Sequence, residues 1–335
     1  MDWKGARVVV TGHCGFVGAN LVRRLLDLKA SVNGMDVVLT SPSLRVLRAE
    51  SPPVSIGTVE YLADTEMAVQ GADVVFHLAG LGHIADCQQR PADAFRINAF
   101  GTVNVLEAVR RRAPNAIVVC ASSNHVYLGG NPNATLVGSP RRVGGGYGLG
   151  ESCPLQATDA YGASKAAADL AVKCYRESYG LRAAALRHVN CYGPADVHES
   201  HLVTGAILSC LKGERPKLKS DGTPLKAYLH VHDIVRAYMT VAEHVDELSS
   251  HAVNVTDPRC EAPAIAVART VMDVAGMEGG PEILRQDLSQ SGYEERLDPT
   301  LIRNLGWEAI YTLYTGIAET FWWYKDHGGM AWRDT

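Results

Sequence analysis

The 335-residue sequence lacks any long hydrophobic run and any large excess of charge of one sign. No apolar stretch approaches the roughly 18 residues that a membrane-spanning helix needs, so we expect no membrane segment. The formal net charge is only −4, which gives no reason to expect nucleic acid as a partner. The first residues, MDWKGARVVVTG, run into a predicted strand without a secretory hydrophobic region, which favours the cytoplasm.

Cysteine and histidine are present, but not in the short patterns that hold zinc. The eight cysteines form no CxxC pair, and the twelve histidines form neither HxxxH nor HExxH. Cys14 and Cys120 lie beside glycine-rich or apolar segments, where a reduced thiol packs like a small hydrophobic group. The sequence therefore predicts no metal site.

What the sequence does contain is a regular alternation of short apolar segments and helical patterns. Strands are predicted over 7–11, 31–37, 73–78, 116–121 and 183–189, with helices after the first strand and over 98–111 and 160–179. Such alternation requires parallel strands joined by right-handed crossovers. The first part of the chain is therefore predicted to be a doubly wound, parallel α/β sheet.

The pattern loosens beyond about residue 190. Helices are predicted over 202–211, 234–244, 262–275 and 315–324, with short strands near 227–231 and 253–255. We interpret 187–335 as a smaller, mixed α/β substrate domain, interleaved with a first domain over 1–186 that is joined again by about 227–260. The glycine-rich segment 129–150 is predicted to be a surface loop.

The segment TGHCGFVGAN (11–20) carries a glycine triplet directly after a predicted strand and at the start of a helix. Glycines in this position allow a tight turn and a close approach of the backbone to a pyrophosphate, and the helix N-terminus then offers free N–H groups to it. The sequence therefore predicts a dinucleotide phosphate site made by Gly12, Gly15, Phe16, Val17 and Gly18. A glycine-rich turn without a ligand is the alternative.

Asp36 closes the second predicted strand. A carboxylate at this place can accept hydrogen bonds from the adenosine ribose hydroxyls, and it would repel a 2′-phosphate. We therefore expect NAD rather than NADP as the cofactor. An ordinary turn residue is the alternative interpretation of Asp36.

Tyr161 and Lys165, in DAYGASKAAAD (159–169), lie four residues apart at the start of a predicted helix and therefore share one face. A phenol with a pKa near 10 is a poor base at neutral pH. A lysine ammonium one turn away stabilises the phenolate and brings its pKa closer to the working range. Taken alone, the pair would be better interpreted as a surface contact, but it does not stand alone.

With these motifs, the chain resembles the extended short-chain dehydrogenase/reductase family, the NAD-dependent nucleotide-sugar epimerases and dehydratases. The matching segments occur in family order over nearly the whole chain: TGHCGFVG (11–18), DVVFHLAG (73–80), NAFGTVNVLEA (98–108), CASSNHVY (120–127), YGASK (161–165), LRHVNCYGP (186–194), YLHVHD (228–233) and LGW (305–307). The resemblance implies a Rossmann-like fold with a smaller substrate domain.

The resemblance also implies a catalytic set. Tyr161 would take the proton from a sugar hydroxyl, Ser123 would hydrogen-bond that oxygen, and Lys165 would hold the phenolate and the nicotinamide ribose while NAD receives the hydride. Further cofactor contacts are implied for Asp64, Leu78, Ala79, Gly80 and Asn98, with Asp64 only as a later acidic position. Substrate contacts are implied for Asn124, His125, Asn190, Lys226 and Arg285. Lys226 stands where the family has arginine, so diphosphate recognition is expected to be looser or shifted.

The resemblance leaves the exact reaction open. Related 4,6-dehydratases carry an acid pair, or Asp followed by Lys, directly after the active-site Ser or Thr, whereas this chain has Asn124 and His125. An amide is no useful proton donor, although His125 could act as a base, so we favour an epimerase. Segments 186–196 and 211–233 are nevertheless most similar to the CDP-glucose 4,6-dehydratase branch, which keeps dehydratase as the main alternative. Decarboxylase, dehydrogenase, reductase and a non-catalytic NAD-binding regulator are further alternatives.

Two expectations concern surfaces. The resemblance implies a homodimer built on partly apolar outer faces of helices 98–111 and 160–179, formed by Val105, Val109, Ala167, Leu170, Ala171 and Cys174. Segment 129–150 is longer than the family pattern, so we expect it to be a lid over the sugar site, with Arg141 and Arg142 reaching an anionic substrate.

Overall fold

The computed structural model describes residues 1–47, 52–128, 141–143, 146–223, 225–285 and 296–327. Its strands, in chain order, are β1 (Arg7–Thr11), β2 (Ser31–Asp36), β3 (Val54–Ile56), β4 (Val74–His77), β5 (Ile117–Ala121), β6 (Arg141–Val143), β7 (Gly146–Gly148), β8 (Arg182–His188), β9 (Asn190–Tyr192), β10 (Lys217–Leu218), β11 (Leu225–His230), β12 (Ala252–Val255), β13 (Glu261–Pro263) and β14 (Glu282–Ile283). Its α-helices are α1 (Phe16–Asp27), α2 (Leu62–Val69), α3 (Ile84–Gln89), α4 (Pro91–Ala94), α5 (Gly101–Arg112), α6 (His125–Leu128), α7 (Ala160–Tyr179), α8 (Leu202–Leu211), α9 (Val231–Glu243), α10 (Ala264–Ala275), α11 (Thr300–Asn304) and α12 (Leu313–Asp326).

The main sheet has seven strands in the order β3-β2-β1-β4-β5-β8-β12, and every neighbouring pair is parallel. The predicted doubly wound, Rossmann-like fold is confirmed. Strand order reverses beside β1, since β2 lies on one side of it and β4 on the other. In open α/β sheets a ligand cleft lies outside the carboxyl ends of the strands at such a reversal.

The central strands are apolar without alternation because helices cover both faces of the sheet. In β1, Val8 and Val10 belong to one hydrophobic core and Val9 to the core on the opposite face. The first core includes apolar residues of α1 and α9, and the second includes Val105 and Val109 of α5.

Outside the main sheet, β9 pairs with β11 in parallel and β11 pairs with β13 in antiparallel fashion. A third hydrophobic core joins α8, α10 and α12 beside this small sheet. Within the described residues, no helix is both long and apolar enough to cross a bilayer.

Several predicted boundaries agree with the structure, including those of β1, α7 and α8. Two predictions are wrong. Helix 98–111 is in fact a π-helical turn, Phe95–Phe100, followed by α5. Val105 and Val109 are fully buried rather than on an outer face, because α2 and the sheet pack against α5 from both sides.

The predicted lid falls largely outside the described residues. Positions 129–140, 144 and 145 are not described, and neither are the side chains of Arg141 and Arg142. The role of this segment over the sugar site stays a prediction.

Candidate active site and cofactor cleft

The glycine triplet brings the loop after β1 against the loop after β4. Gly12 has φ +72°, and a Cβ on it would lie only 2.6 Å from the amide nitrogen of Ala79. The helix α1 then starts at Phe16 with Gly15 as its N-cap and no capping side chain. Amides in the first turn of a helix have no partner within the helix. The N–H groups of Phe16, Val17 and Gly18 are therefore available to a phosphate.

A cavity of about 370 Å³ lies along the carboxyl ends of the first strands of the sheet. Its lining includes Gly12, Gly15, Asp36, Gly57, Glu60 and the segment Leu78, Ala79, Gly80 and Leu81. The Asp36 carboxylate accepts the Cys14 N–H through Oδ2 at 2.9 Å and the Val37 N–H through Oδ1 at 2.8 Å. These bonds hold the carboxylate at the end of β2, facing the cleft. The cleft therefore fits an adenosine ribose at Asp36 and a diphosphate at the glycine loop.

Two residues that were expected to touch the cofactor are engaged by the protein backbone. The Asp64 carboxylate accepts the Thr58 N–H at 2.9 Å and so fixes the turn after β3. The buried Asn98 amide donates to the Leu81 carbonyl at 3.1 Å and accepts the Leu81 N–H at 2.8 Å. Both side chains shape the lining of the cleft, and direct cofactor contacts from them stay predictions.

The start of α7 carries the Tyr161–Lys165 pair. Asp159 caps the helix by accepting the Gly162 N–H at 2.8 Å, which fixes where its first turn begins. Lys165 is buried, and its Nζ donates to the Ala121 carbonyl at the end of β5 at 3.0 Å. Burial lowers the pKa of Lys165 to about 8. A Cβ on Gly80 would lie 3.3 Å from this Nζ, so the lysine reaches the cofactor cleft.

Ser123, Asn124 and His125 follow β5 directly and face this pair. Ser123 is buried, and its Oγ accepts the His125 N–H at 3.2 Å and donates to the Asn124 side-chain oxygen at 3.4 Å. The His125 ring meets Tyr161 edge to face, with ring centroids 5.7 Å apart. The structure thus brings Ser123, His125, Tyr161 and Lys165 together.

His125 is a neutral imidazole with an unused nitrogen. Burial, together with the nearby charge of Lys226, lowers its pKa to about 4. Its Nδ1 is buried and has no hydrogen-bond partner within the described parts of the chain. A neutral ring of this kind can accept a proton or a substrate hydrogen bond.

The residues expected to bind substrate separate into two places. Asn190 lies on β9 and donates to the Ala227 carbonyl of β11 at 3.2 Å. Lys226 lies on β11 as well, within electrostatic reach of His125. Arg285 instead lies exposed at the end of β14, where its charge acts on Asp221. Lys226 therefore lies near His125, whereas the substrate roles of Asn190 and Arg285 stay predictions.

Sequence reasoning missed a buried ionic cluster behind the catalytic residues. Asp169, one turn after Lys165, accepts hydrogen bonds from Ser122 at 2.8 Å, Arg187 at 2.6 Å and His251 at 2.9 Å. Although burial opposes ionisation, the hydrogen bonds from Arg187 and His251 lower the pKa of Asp169. The cluster fixes α7 against β5, β8 and β12. The only feature of the sequence that indicated it is an acidic residue four positions after Lys165.

The comparisons with known proteins decide the family. The model of the NAD dependent epimerase/dehydratase family matches residues 8–256. The chain belongs to that family.

Relatives of both kinds within the NAD dependent epimerase/dehydratase family are similar to the chain. It is 28% identical to the dTDP-glucose 4,6-dehydratase of Mycolicibacterium smegmatis, over 98% of this chain and 95% of that protein. It is 25% identical to a putative UDP-glucose 4-epimerase of Methanocaldococcus jannaschii, over 96% of this chain and 99% of that protein.

The fold agrees with solved structures of the family. The UDP-glucose 4-epimerase of Thermotoga maritima, solved with UDP-glucose, superposes with a TM-score of 0.82 at 21% identity, over 96% of this chain and 99% of that one. The chain is an NAD-dependent enzyme of the nucleotide-sugar epimerase/dehydratase type.

Proposed function

We propose that the chain is an NAD-dependent nucleotide-sugar epimerase that works through a transient 4-keto sugar. The observation that carries the proposal is the buried Asn124 beside Ser123, in the place where a dehydratase needs an acid. Epimerisation at C4 needs no proton donor for a leaving hydroxyl, because nothing leaves the sugar. The set of Ser123, Tyr161 and Lys165 is sufficient for it.

In this proposal Tyr161 takes the proton of the sugar C4 hydroxyl and later returns it. Ser123 Oγ holds the same oxygen, and the Lys165 ammonium stabilises the phenolate. NAD bound in the cleft would accept the C4 hydride and give it back to the opposite face of the ketone. Asn190 and Lys226 are proposed to hold the diphosphate side of the substrate, and the backbone at Ala79 and Gly80 to line the cofactor.

A 4,6-dehydratase is the second candidate, and the geometry of His125 favours it. The unpartnered Nδ1 of this neutral ring lies beside Tyr161, where a base could remove the C5 proton of a 4-keto sugar. The similarity to the Mycolicibacterium dehydratase points the same way. The missing acid at position 124 opposes it, because the departing C6 hydroxyl must be protonated.

The test is incubation with a panel of nucleotide-diphosphate sugars, with products resolved by mass and retention. The epimerase proposal expects a product of unchanged mass, and Tyr161→Phe as a control that forms none. A product lighter by one water would support the dehydratase. Full activity of Tyr161→Phe would remove the catalytic assignment from both candidates.

We also propose a homodimer in the cytoplasm, with residues 1–186 and about 227–260 forming the NAD domain. The outer face of α7 exposes Leu170 and Cys174, and the adjoining π-helical turn exposes Phe95 and Phe100. These residues replace Val105 and Val109 as the apolar surface available to a second copy. Light scattering is expected to give twice the monomer mass for the wild type and the monomer mass for Leu170→Glu. A monomer in the wild type at micromolar concentration would contradict the proposal.

A further inference from the structure

We propose that His230, His232 and Glu319 form a binding site for a divalent transition metal, of which Zn²⁺ is the best fit. One ring nitrogen of each histidine and one carboxylate oxygen of Glu319 lie within 4.8 Å of one another. Two imidazoles and a carboxylate are a ligand set that zinc uses in proteins. The proposed metal site does not depend on the proposed reaction.

The fold creates this cluster from distant parts of the sequence. β11 ends at His230 and α9 starts at Val231, and this abrupt change from strand to helix turns the two histidine rings toward each other. Their centroids lie 4.8 Å apart in an edge-to-face arrangement. Glu319 comes from α12, near the end of the described chain, and its carboxylate lies 3.5 Å from His232 Nδ1.

A second observation points to a missing ligand. His230 is 1% exposed, and its Nε2 has no hydrogen-bond partner within the described residues. Leaving a buried polar group without a hydrogen-bond partner destabilises the folded protein. A metal at Nε2 would satisfy this nitrogen. The ring would then carry its proton on Nδ1 and would lose the long contact, 3.4 Å, in which Nδ1 accepts the His232 N–H.

The three side chains have the chemical form and the freedom that a metal needs. Burial lowers the pKa values of His230 and His232, so both rings are neutral at pH 7, which is the form that ligates. The side chains of His232 and Glu319 are 40% and 38% exposed, so they can rotate to close the distances around an ion. The positive charge of Arg24 opposes metal binding, and the Glu319 carboxylate offsets it.

Tyr311 closes the other side of the cluster. Its ring packs against that of His230 with centroids 4.1 Å apart, and its hydroxyl lies 3.4 Å from His232 Nδ1. It also hydrogen-bonds to Glu319. A hydrogen-bonded cluster of these four side chains without a metal is the competing interpretation. With a metal, the cluster would fasten α12 to the junction of β11 and α9.

The experiment uses full-length protein, stripped with a chelator and then saturated with NAD. Bound NAD would cover Cys14 and Asp36, which line the cofactor cleft. With the buried His13 they form a second group whose possible ligand atoms lie within 4.8 Å of one another. Zn²⁺ is added, excess metal is dialysed away, and bound zinc is counted by elemental mass spectrometry. The thermal midpoint is measured with and without zinc.

The variants are His232→Gln and Glu319→Gln, with His244→Gln as the matched control. His244 caps the other end of α9 and pairs at 2.9 Å with Glu247 in the turn that follows, so it tests a histidine–glutamate pair outside the proposed site. We expect one more zinc per chain in the wild type and His244→Gln than in the other two variants, together with a zinc-dependent rise in thermal midpoint. Equal zinc and equal midpoints in all four proteins would overturn the metal site and leave the hydrogen-bonded cluster.

Discussion

Replacing Lys165 by methionine is expected to stabilise the NAD-free protein, because burying the charged lysine destabilises the folded state. Burial lowers its pKa to about 8 from an unperturbed 10.5. At 1.36 kcal/mol for each pKa unit, the folded state carries a penalty of about 3 kcal/mol near pH 7. Lys165→Met removes the charge and should recover that amount.

The penalty from the buried Lys165 charge depends on pH. Since the folded pKa is the lower one, the penalty is fully present below about pH 8 and vanishes as pH rises toward 10.5. The gain from Lys165→Met should therefore shrink from about 3 kcal/mol near pH 7 to about 1 kcal/mol near pH 9.5.

The assay is urea unfolding of the NAD-free protein at both pH values. Lys173→Met is the matched control, because Lys173 is exposed on the same helix and should change stability by less than about 0.5 kcal/mol. A loss of stability in Lys165→Met, or a gain that does not change with pH, would refute the reasoning.

Three further predictions concern the cofactor, the proton acceptor and the reaction. Asp36→Asn should weaken NAD binding roughly 10- to 30-fold and strengthen NADP binding, both measured by calorimetry, because a hydrogen bond to a carboxylate is worth about 2 kcal/mol. Equal binding of both cofactors by the wild type would contradict this. Tyr161→Phe should lower turnover by about 10²- to 10⁴-fold and leave NAD affinity unchanged, because only the proton acceptor is lost. A near-normal rate in this variant would remove Tyr161 from the mechanism. Asn124→Asp should permit some dehydration at the expense of epimerisation, detected as loss of water from the sugar. If this variant forms no new product, position 124 does not decide the reaction.

The local pattern of the sequence was enough for the sheet and for the catalytic helix. Strand–helix alternation predicted the parallel sheet, and the spacing of Tyr161 and Lys165 predicted a shared face. Both are properties of neighbouring residues, which periodicity records directly. β3 escaped prediction because its three residues, between Pro53 and Gly57, are too few to show a period.

The sequence could not show which part of the protein packs against each apolar face of a helix. An apolar stripe on α5 is evident, but only the structure reveals that Val105 and Val109 meet the core instead of a second copy. The cluster of His230, His232 and Glu319 was missed for the same reason. It depends on a strand changing to a helix within two residues and on the docking of α12, and neither leaves a local signature.

The most direct test of the central proposal is turnover in deuterated water. An epimerase that removes and returns hydride at C4 never breaks the C5–H bond. The product of such an epimerase therefore carries no deuterium on carbon and has the mass of the substrate. A product that has lost water and gained a solvent deuteron at C5 would contradict the proposal and establish a 4,6-dehydratase.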